Sequence, residues 1–410
     1  MQIIQVVLTI LLALFINILE AQQDLNRYLE QAAENNPGLQ ATFHEYMAAL
    51  EQAPQAKALP DPQIAFAYFI SPVETRVGPQ QFKVSATQFF PWFGTLTAKK
   101  NIAVQEAKAK YERFQQEKSR LFNEIKAVYF NLYLNQRSIT ITMESMELLR
   151  SIKRMASKKF EAGKVSILDE YRVKMEINEL ENQLALLQDK HLLLEKEFGN
   201  LLNAPGKKDI HLPDTLWRTD LPLSKQQALD SVRTKNHKLL QLEFEQAALA
   251  YRKKASEYAG KPTFNINLEY ISIGKGEQNL AGKDAFVFPS FGMTIPLYRN
   301  KYKAMVQEVS YLEAASEYKT ASEHNTLNTL FHEAWKDYRD AKRRIALNEK
   351  QMELAHKSLK LLESEYATTS TEFEDLLRME RKILQYSLKY EKAKADKQAA
   401  IAFINYLMGR

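Results

Sequence analysis

Several side chains in this sequence are of types that could bind a metal or a phosphate, but their spacing completes no known site. His332 and Glu333 begin the helical zinc motif HExxH, yet Lys336 stands where the second histidine ligand belongs. Gly274 and Gly276 lie between two predicted strands instead of at a strand-to-helix turn, so they do not predict a phosphate-binding loop. No nucleophile, base and orienting acid lie together in the sequence. We therefore expect no enzyme activity, no metal and no cofactor.

Methionines and acids form two further candidate groups. Thioethers bind copper(I), and four methionines lie on either side of a predicted turn at Gly163: Met143, Met146, Met155 and Met175. Their helical spacing favours packing, with soft-metal transfer as the alternative. Three acids lie together further along the chain: Glu372, Glu374 and Asp375. Carboxylates around a pore favour cations, whereas a solvated acidic helix end is the plainer interpretation. The secondary structure around these residues helps to choose between the alternatives.

Those elements are very long helices. Between Gly94 and Gly163 there is no glycine or proline, and the run is rich in Ala, Glu, Lys, Gln and Leu. Its apolar residues recur at spacings near three, four and seven. A helix of some 65 residues would extend roughly 100 Å, which no compact domain needs. The pattern predicts an antiparallel helical hairpin over about 95–202 and a second one over about 300–408.

Short strands precede each hairpin, and they are duplicated. Pro62 opens an alternating apolar stretch, and Pro262 opens another at the corresponding position of the second half. The strands are predicted over about 63–71 and 81–91, and again over about 263–273 and 285–296. Apolar residues alternate with polar ones, as in strands that face lipid on one side, although a half-buried soluble sheet has the same pattern. Four strands leave open edges, so closing a barrel of ~8 or more strands requires further copies. Three copies would supply twelve strands and twelve helices.

The remaining segments complete the domain plan. Residues 3–19 are mostly apolar, and residues 1–21 predict a secretory signal. The apolar run is shorter than the ~20 residues of a spanning helix, which favours cleavage over the alternative of a retained membrane anchor. Two repeats follow, over 22–202 and 224–410, with a proline-containing linker at 203–223. The net charge is +6, but basic and acidic residues alternate along the helices, so we expect no nucleic-acid partner. The chain has no cysteine and hence no disulfide.

Several local motifs carry a resemblance to a known family. A proline-rich segment, LPDPQ at 59–63, enters the first strand, and proline follows the second and fourth strands in FPWFG at 90–94 and IPLY at 295–298. The first hairpin turn has an aromatic residue, a glycine three positions on and an aspartate six further: Phe160, Gly163 and Asp169. This plan resembles the TolC-type outer-membrane efflux proteins over essentially the whole mature chain.

The resemblance implies a homotrimer in the outer membrane, with most of the chain in the periplasm. Its fold would be a 12-stranded β-barrel in lipid that continues into a 12-helix periplasmic α-barrel. It would be the passive conduit of a tripartite efflux or type I secretion system. Its partners would be a periplasmic adaptor protein and an inner-membrane transporter of the RND or ABC type. The rival class is a periplasmic structural or adhesive coiled-coil protein without channel activity.

The resemblance also assigns roles to the two hairpin turns. It implies an adaptor-docking role for Gly163, Val165 and Ser166 in the first turn. It implies a periplasmic gate at the second turn, formed by three acids: Glu372, Glu374 and Asp375. Two residues depart from the family pattern there, since Thr369 replaces a glycine and Arg378 stands where some members have an acid. In a trimer about nine acids would surround one entrance and favour cations.

Overall fold

The computed structural model describes residues 23–206, 210–276, 282–368 and 373–410. The predicted signal at 1–21 lies outside the described residues. Among the described helices, none combines the length and the apolar composition that crossing a membrane requires.

The chain is mostly helical, as predicted. The first described helix, α1, covers residues 23–35. The others are α2 (Pro37–Lys57), α3 (Thr95–Glu161), α4 (Ile167–Leu201), α5 (Lys225–Lys235), α6 (His237–Ala259), α7 (Arg299–Thr368) and α8 (Phe373–Leu407). The two longest helices, α3 with 67 residues and α7 with 70, each precede a return helix of 35 residues.

An asparagine makes the same contact in both halves of the chain. Asn36 separates α1 from α2, and its side-chain amide donates a hydrogen bond of 3.0 Å to the carbonyl of Leu201 at the end of α4. Asn236 separates α5 from α6 and donates one of 2.9 Å to the carbonyl of Leu407 at the end of α8. Each asparagine therefore satisfies a helix-terminal carbonyl that would otherwise lack a partner.

The strands form one antiparallel sheet in the order β1-β3-β4-β5, with a short β2 paired to β3. They are β1 (Gln63–Tyr68), β2 (Glu74–Thr75), β3 (Gly78–Phe90), β4 (Thr263–Ile273) and β5 (Ala285–Thr294). Three observed bounds differ from the predicted ones. The first strand ends at Tyr68 instead of 71, and the fourth ends at Thr294 instead of 296, just before Pro296, which has no N–H for the ladder. The second begins at Gly78 instead of 81, where φ is +136° and the carbonyl of Gly274 lies against its backbone.

The sheet has one polar and one apolar face. On the polar face Lys83 forms an ion pair of 2.7 Å with Glu269, and Thr87 donates a 3.0 Å hydrogen bond to Asn267. On the other face the rings of Phe66, Phe82 and Tyr270 form a row with centroids 5.9 and 6.1 Å apart. Large apolar side chains there are exposed, and Ile64, Phe66 and Tyr68 of β1 are 77%, 67% and 69% accessible. The predicted alternation is therefore present, with the apolar side uncovered.

The chain divides into two compact units, and each takes segments from both halves of the sequence. One contains residues up to Ala41, Gln115–His237 and His324–Arg410, and the other contains Thr42–Phe114 and Lys238–Glu323. The sheet lies in the second unit. The helix ends on either side of both hairpin turns lie in the first, where they pack on a core that includes Ile152, Leu359, Leu376 and Leu377.

Candidate functional site

The first hairpin turn, residues 161–167, owes its shape to the residue types predicted to dock an adaptor. Gly163 has φ +68° and ends α3, because the amides of Gly163 and Lys164 bond back to the carbonyls of Phe160 and Lys159 in a Schellman arrangement. No atom lies within 4 Å of the place where a Cβ would sit, so the backbone angle alone favours glycine.

Ser166 and Val165 have structural roles in the same turn. Ser166 caps α4 by accepting a hydrogen bond of 3.2 Å from the amide of Leu168. Val165 packs against the core beneath the turn. Gly163 and Ser166 are exposed, whereas Val165 is only partly so.

Apolar side chains around this turn were missed as candidates. Tyr171 and Met175 on the return helix are both more than half exposed, and Leu168 is 50% accessible. Met143 is also exposed, whereas Met146 is buried in the core, so the methionines do not share one environment. No group of three or more His, Cys, Asp or Glu in the described part of the chain could hold a metal.

The second hairpin turn joins α7 to α8 through residues 369–372, so the predicted gate acid Glu372 lies outside the described residues. Phe373 begins α8 and is buried against Tyr366, with ring centroids 5.2 Å apart. Glu374 and Asp375 occupy the first turn of α8, where a helix N-terminus favours negative charge.

Both described gate acids have an arginine partner. Asp375 is paired with Arg378 of the same helix. Glu374 lies 3.8 Å from the Nε of Arg172 on α4. The acids are therefore locally balanced by cations, which lessens the negative potential that three acids alone would create.

The two hairpins contact each other at their ends through polar groups. Arg381 of α8 forms an ion pair of 2.6 Å with Glu176 of α4. Lys159 of α3 donates a hydrogen bond to the carbonyl of Tyr366 on α7, and its Nζ lies 4.1 Å from the centroid of that ring. Together with Arg172 and Glu374, these contacts link the first hairpin to the second. We call this set of six residues the tip contacts.

Asp169 adds a second carboxylate beside Arg172. Burial raises the pKa of Asp169, Arg172 opposes that rise, and the charge of Glu374 adds to it. The carboxylates of Asp169 and Glu374 therefore share Arg172, and the distance from the Asp169 Oδ1 to the Arg172 Nη1 is 3.6 Å. A change in either hairpin position would alter the charge balance of all three groups.

One buried acid above the tip contacts was also missed. Glu380 is 3% accessible and accepts a hydrogen bond of 2.9 Å from Ser145 of α3, while its second oxygen has no partner among the described residues. Burial raises the pKa of Glu380, Ser145 opposes the rise, and Glu363 adds to it. The sequence does contain a signal for Glu380, because this charged residue occupies a position of the apolar helical repeat formed by Leu376, Leu377 and Ile383.

A strand pair before each of two long helical hairpins is the architecture of outer-membrane channels, and solved structures of that class share this fold. The outer-membrane channel OprN is 16% identical, with a TM-score of 0.80 over 94% of this chain and 90% of that one. The outer membrane protein VceC of Vibrio cholerae is 14% identical, with a TM-score of 0.80 over 96% and 98%. The MtrE outer membrane channel of Neisseria gonorrhoeae, solved in its open state, is 16% identical, with a TM-score of 0.75 over 94% and 88%.

The sequence itself matches the model of the outer membrane efflux protein family over residues 28–202. No curated protein matches the chain in sequence. The resemblance inferred from the sequence is thus confirmed, by the family model over the first repeat and by the shared fold over most of the chain.

Proposed function

We propose that this protein is one subunit of an outer-membrane channel, a passive conduit from the periplasm to the exterior in a tripartite efflux or type I secretion system. The observation that carries the proposal is a sheet with an uncovered apolar face, in a chain whose fold is that of outer-membrane channels. An exposed row of Ile64, Phe66 and Tyr68 is costly in water and favourable in lipid. The fold gives no support to the rival coiled-coil protein.

The sheet favours a homotrimer. Strands β1 and β5 are its edges, and each leaves backbone groups without a ladder partner among the described residues. Lipid cannot satisfy such groups, so the edges must meet those of other copies. Three copies form a 12-stranded β-barrel in outer-membrane lipid, and their paired helices form a 12-helix α-barrel in the periplasm.

The tip contacts support a gate at the periplasmic end. They are ion pairs and hydrogen bonds between separate hairpins, so they can break without unfolding either helix. Glu374 belongs to them directly and Asp375 follows it in α8, while Glu372 is assigned to the gate from the sequence alone. Opening separates Arg381 from Glu176 and Arg172 from Glu374, and the energy comes from an inner-membrane transporter of the RND or ABC type.

The first hairpin turn is the proposed docking site for a periplasmic adaptor protein. Gly163 and Ser166 present exposed backbone and hydroxyl groups, and Val165 holds the turn on its core. Leu168 and Tyr171 add exposed apolar surface beside the turn. Such a surface suits a partner helix better than it suits water.

Two measurements test these proposals. The protein should fractionate with the outer membrane and migrate as a trimer that heat converts to monomer; a soluble monomer contradicts the channel. A photoreactive residue at Lys164, which is exposed and contributes to the turn through its backbone amide, should cross-link to an adaptor. The same residue at Lys190, far along α4, is the control. Equal capture at both positions, or none at Lys164, argues against the docking site.

A further inference from the structure

The segment between the two repeats is held firmly in the structure. We call residues 211–221 the strap. The backbone of His211 is bonded at both ends to α1 and α3, since its amide donates to the Tyr28 hydroxyl at 3.0 Å and its carbonyl accepts from Tyr129 at 3.1 Å. Leu216 and Leu221 of the strap are buried. A slack linker would show neither feature.

Hydrogen bonds from three side chains of α8 attach the strap to that helix. The Gln398 amide accepts a hydrogen bond of 3.0 Å from the indole of Trp217 and donates one of 2.8 Å to the carbonyl of the same residue. Lys397 donates to the carbonyl of Arg218 at 3.1 Å, and Lys394 donates to Thr215 at 2.7 Å. The three side chains on α8 are all buried, which limits the competition of water for these bonds.

The strap also holds α7. The Asp220 carboxylate lies between Lys342 of α7, at 2.7 Å, and Lys397 of α8. Hydrogen bonds from these two lysines lower the pKa of Asp220 and keep it ionised at neutral pH. The amide of Leu221 donates to the hydroxyl of Tyr338 on α7 at 3.3 Å. One short segment therefore bonds to both helices of the second hairpin.

The strap crosses both helices at one level. Lys342 precedes the end of α7 at Thr368 by 26 residues, and Gln398 follows the start of α8 at Phe373 by 25. At 1.5 Å per residue both positions lie roughly 38 Å from the second hairpin turn. At the strap the side chains of α8 are buried, and nearer the turn the hairpin is also joined to its neighbour by the Arg381–Glu176 ion pair, whose arginine is half exposed.

We propose that the strap is the fixed point from which the second hairpin moves, and that Gln398, Lys397 and Asp220 are positioning residues of the gate. The inference rests on the proposed channel function. Hydrogen bonds and ion pairs hold α7 and α8 in the strap, so motion is confined to the roughly 38 Å below it. By fixing both helices at one level, the strap brings Arg381 and Tyr366 to where the tip contacts form.

The test uses two spin labels near the turns of a chain that has no native cysteine. Leu168→Cys and Leu361→Cys place them on exposed positions of α4 and α7, and dilution with unlabelled chain limits signals between subunits. With Gln398→Ala we expect a longer and broader distance distribution. Gln385→Ala, an exposed glutamine of the same helix, is the matched control and should leave the distribution unchanged.

Channel recordings give the second readout. Each of the two Gln398 hydrogen bonds modestly stabilises the closed position of the hairpin. Loss of both should therefore raise the open probability about tenfold. A purely structural role would instead lower the unfolding temperature and leave both the distances and the open probability as in the parent chain, which overturns the proposal. If Gln398→Ala does not fold, Asp220→Asn, which keeps the side-chain shape at a half-exposed position, must show the same broadening.

The two failures can be told apart. A parent chain that never conducts contradicts the channel function. In that case the spin-label distances of Gln398→Ala and Gln385→Ala still test whether the strap positions the hairpin. A parent chain that conducts, with Gln398→Ala and Asp220→Asn matching Gln385→Ala in both readouts, contradicts the strap alone.

Discussion

Replacing Arg381 by alanine should open the proposed gate. Arg381 is the α8 member of an ion pair that bridges the two hairpins, with its guanidinium 2.6 Å from Glu176. The arginine side chain is 51% accessible and the glutamate 16%, so solvent screens the pair in part. Such a pair contributes about 0.2–1 kcal/mol. With ~0.5 kcal/mol in each subunit, three pairs that open together contribute ~1.5 kcal/mol, which is about tenfold in open probability.

The assay is single-channel recording of the purified protein in planar bilayers. Arg378→Ala is the matched control, because Arg378 is on the same helix and similarly exposed but pairs within α8, with Asp375. The difference in open probability between Arg381→Ala and the parent chain should become smaller at 1 M salt, because the screening length falls to ~3 Å from ~10 Å at 0.1 M. Equal opening by both variants, or none by Arg381→Ala, would refute the assignment of the tip contacts to the gate.

Three further outcomes are expected. The raised pKa of Glu380 means that its contribution to stability is complete below the ordinary carboxyl pKa and is lost as pH rises through the raised value. Glu380→Gln should therefore flatten the fall of unfolding temperature with rising pH, and an unchanged pH profile would count against the burial argument. Gly163→Ala should cost ~1–2 kcal/mol in chemical denaturation, because φ is +68° and no contact compensates; a cost near zero would contradict the turn geometry. Arg378→Ala should shift the reversal potential toward cation selectivity by leaving Asp375 unpaired, and an unmoved potential would place Asp375 outside the conduction path.

Helices and strands could be predicted because their signals are local. The run between Gly94 and Gly163 has no helix breaker, and the alternation of apolar and polar residues survives in β3 and β4. Differences at two strand ends have local causes, since Pro296 has no N–H to extend one strand and Gly78 allows another to begin early. Those effects depend on backbone geometry that composition does not reveal.

The contacts that define the candidate site were harder to predict. Arg381 and Glu176 are 205 positions apart, so no local pattern pairs them. Lys394 and Lys397 have the composition of a solvated helix face, yet both are buried by the strap. For Glu380 a signal exists, because a charge interrupts an apolar spacing. Long-range pairing, in contrast, follows only from the fold.

Conductance of the purified protein in a planar lipid bilayer tests the central claim most directly. We expect a heat-modifiable trimer that inserts into the bilayer and gives discrete conductance steps, with larger or more frequent openings in Arg381→Ala. A well-folded protein that stays monomeric in solution and never conducts would contradict it.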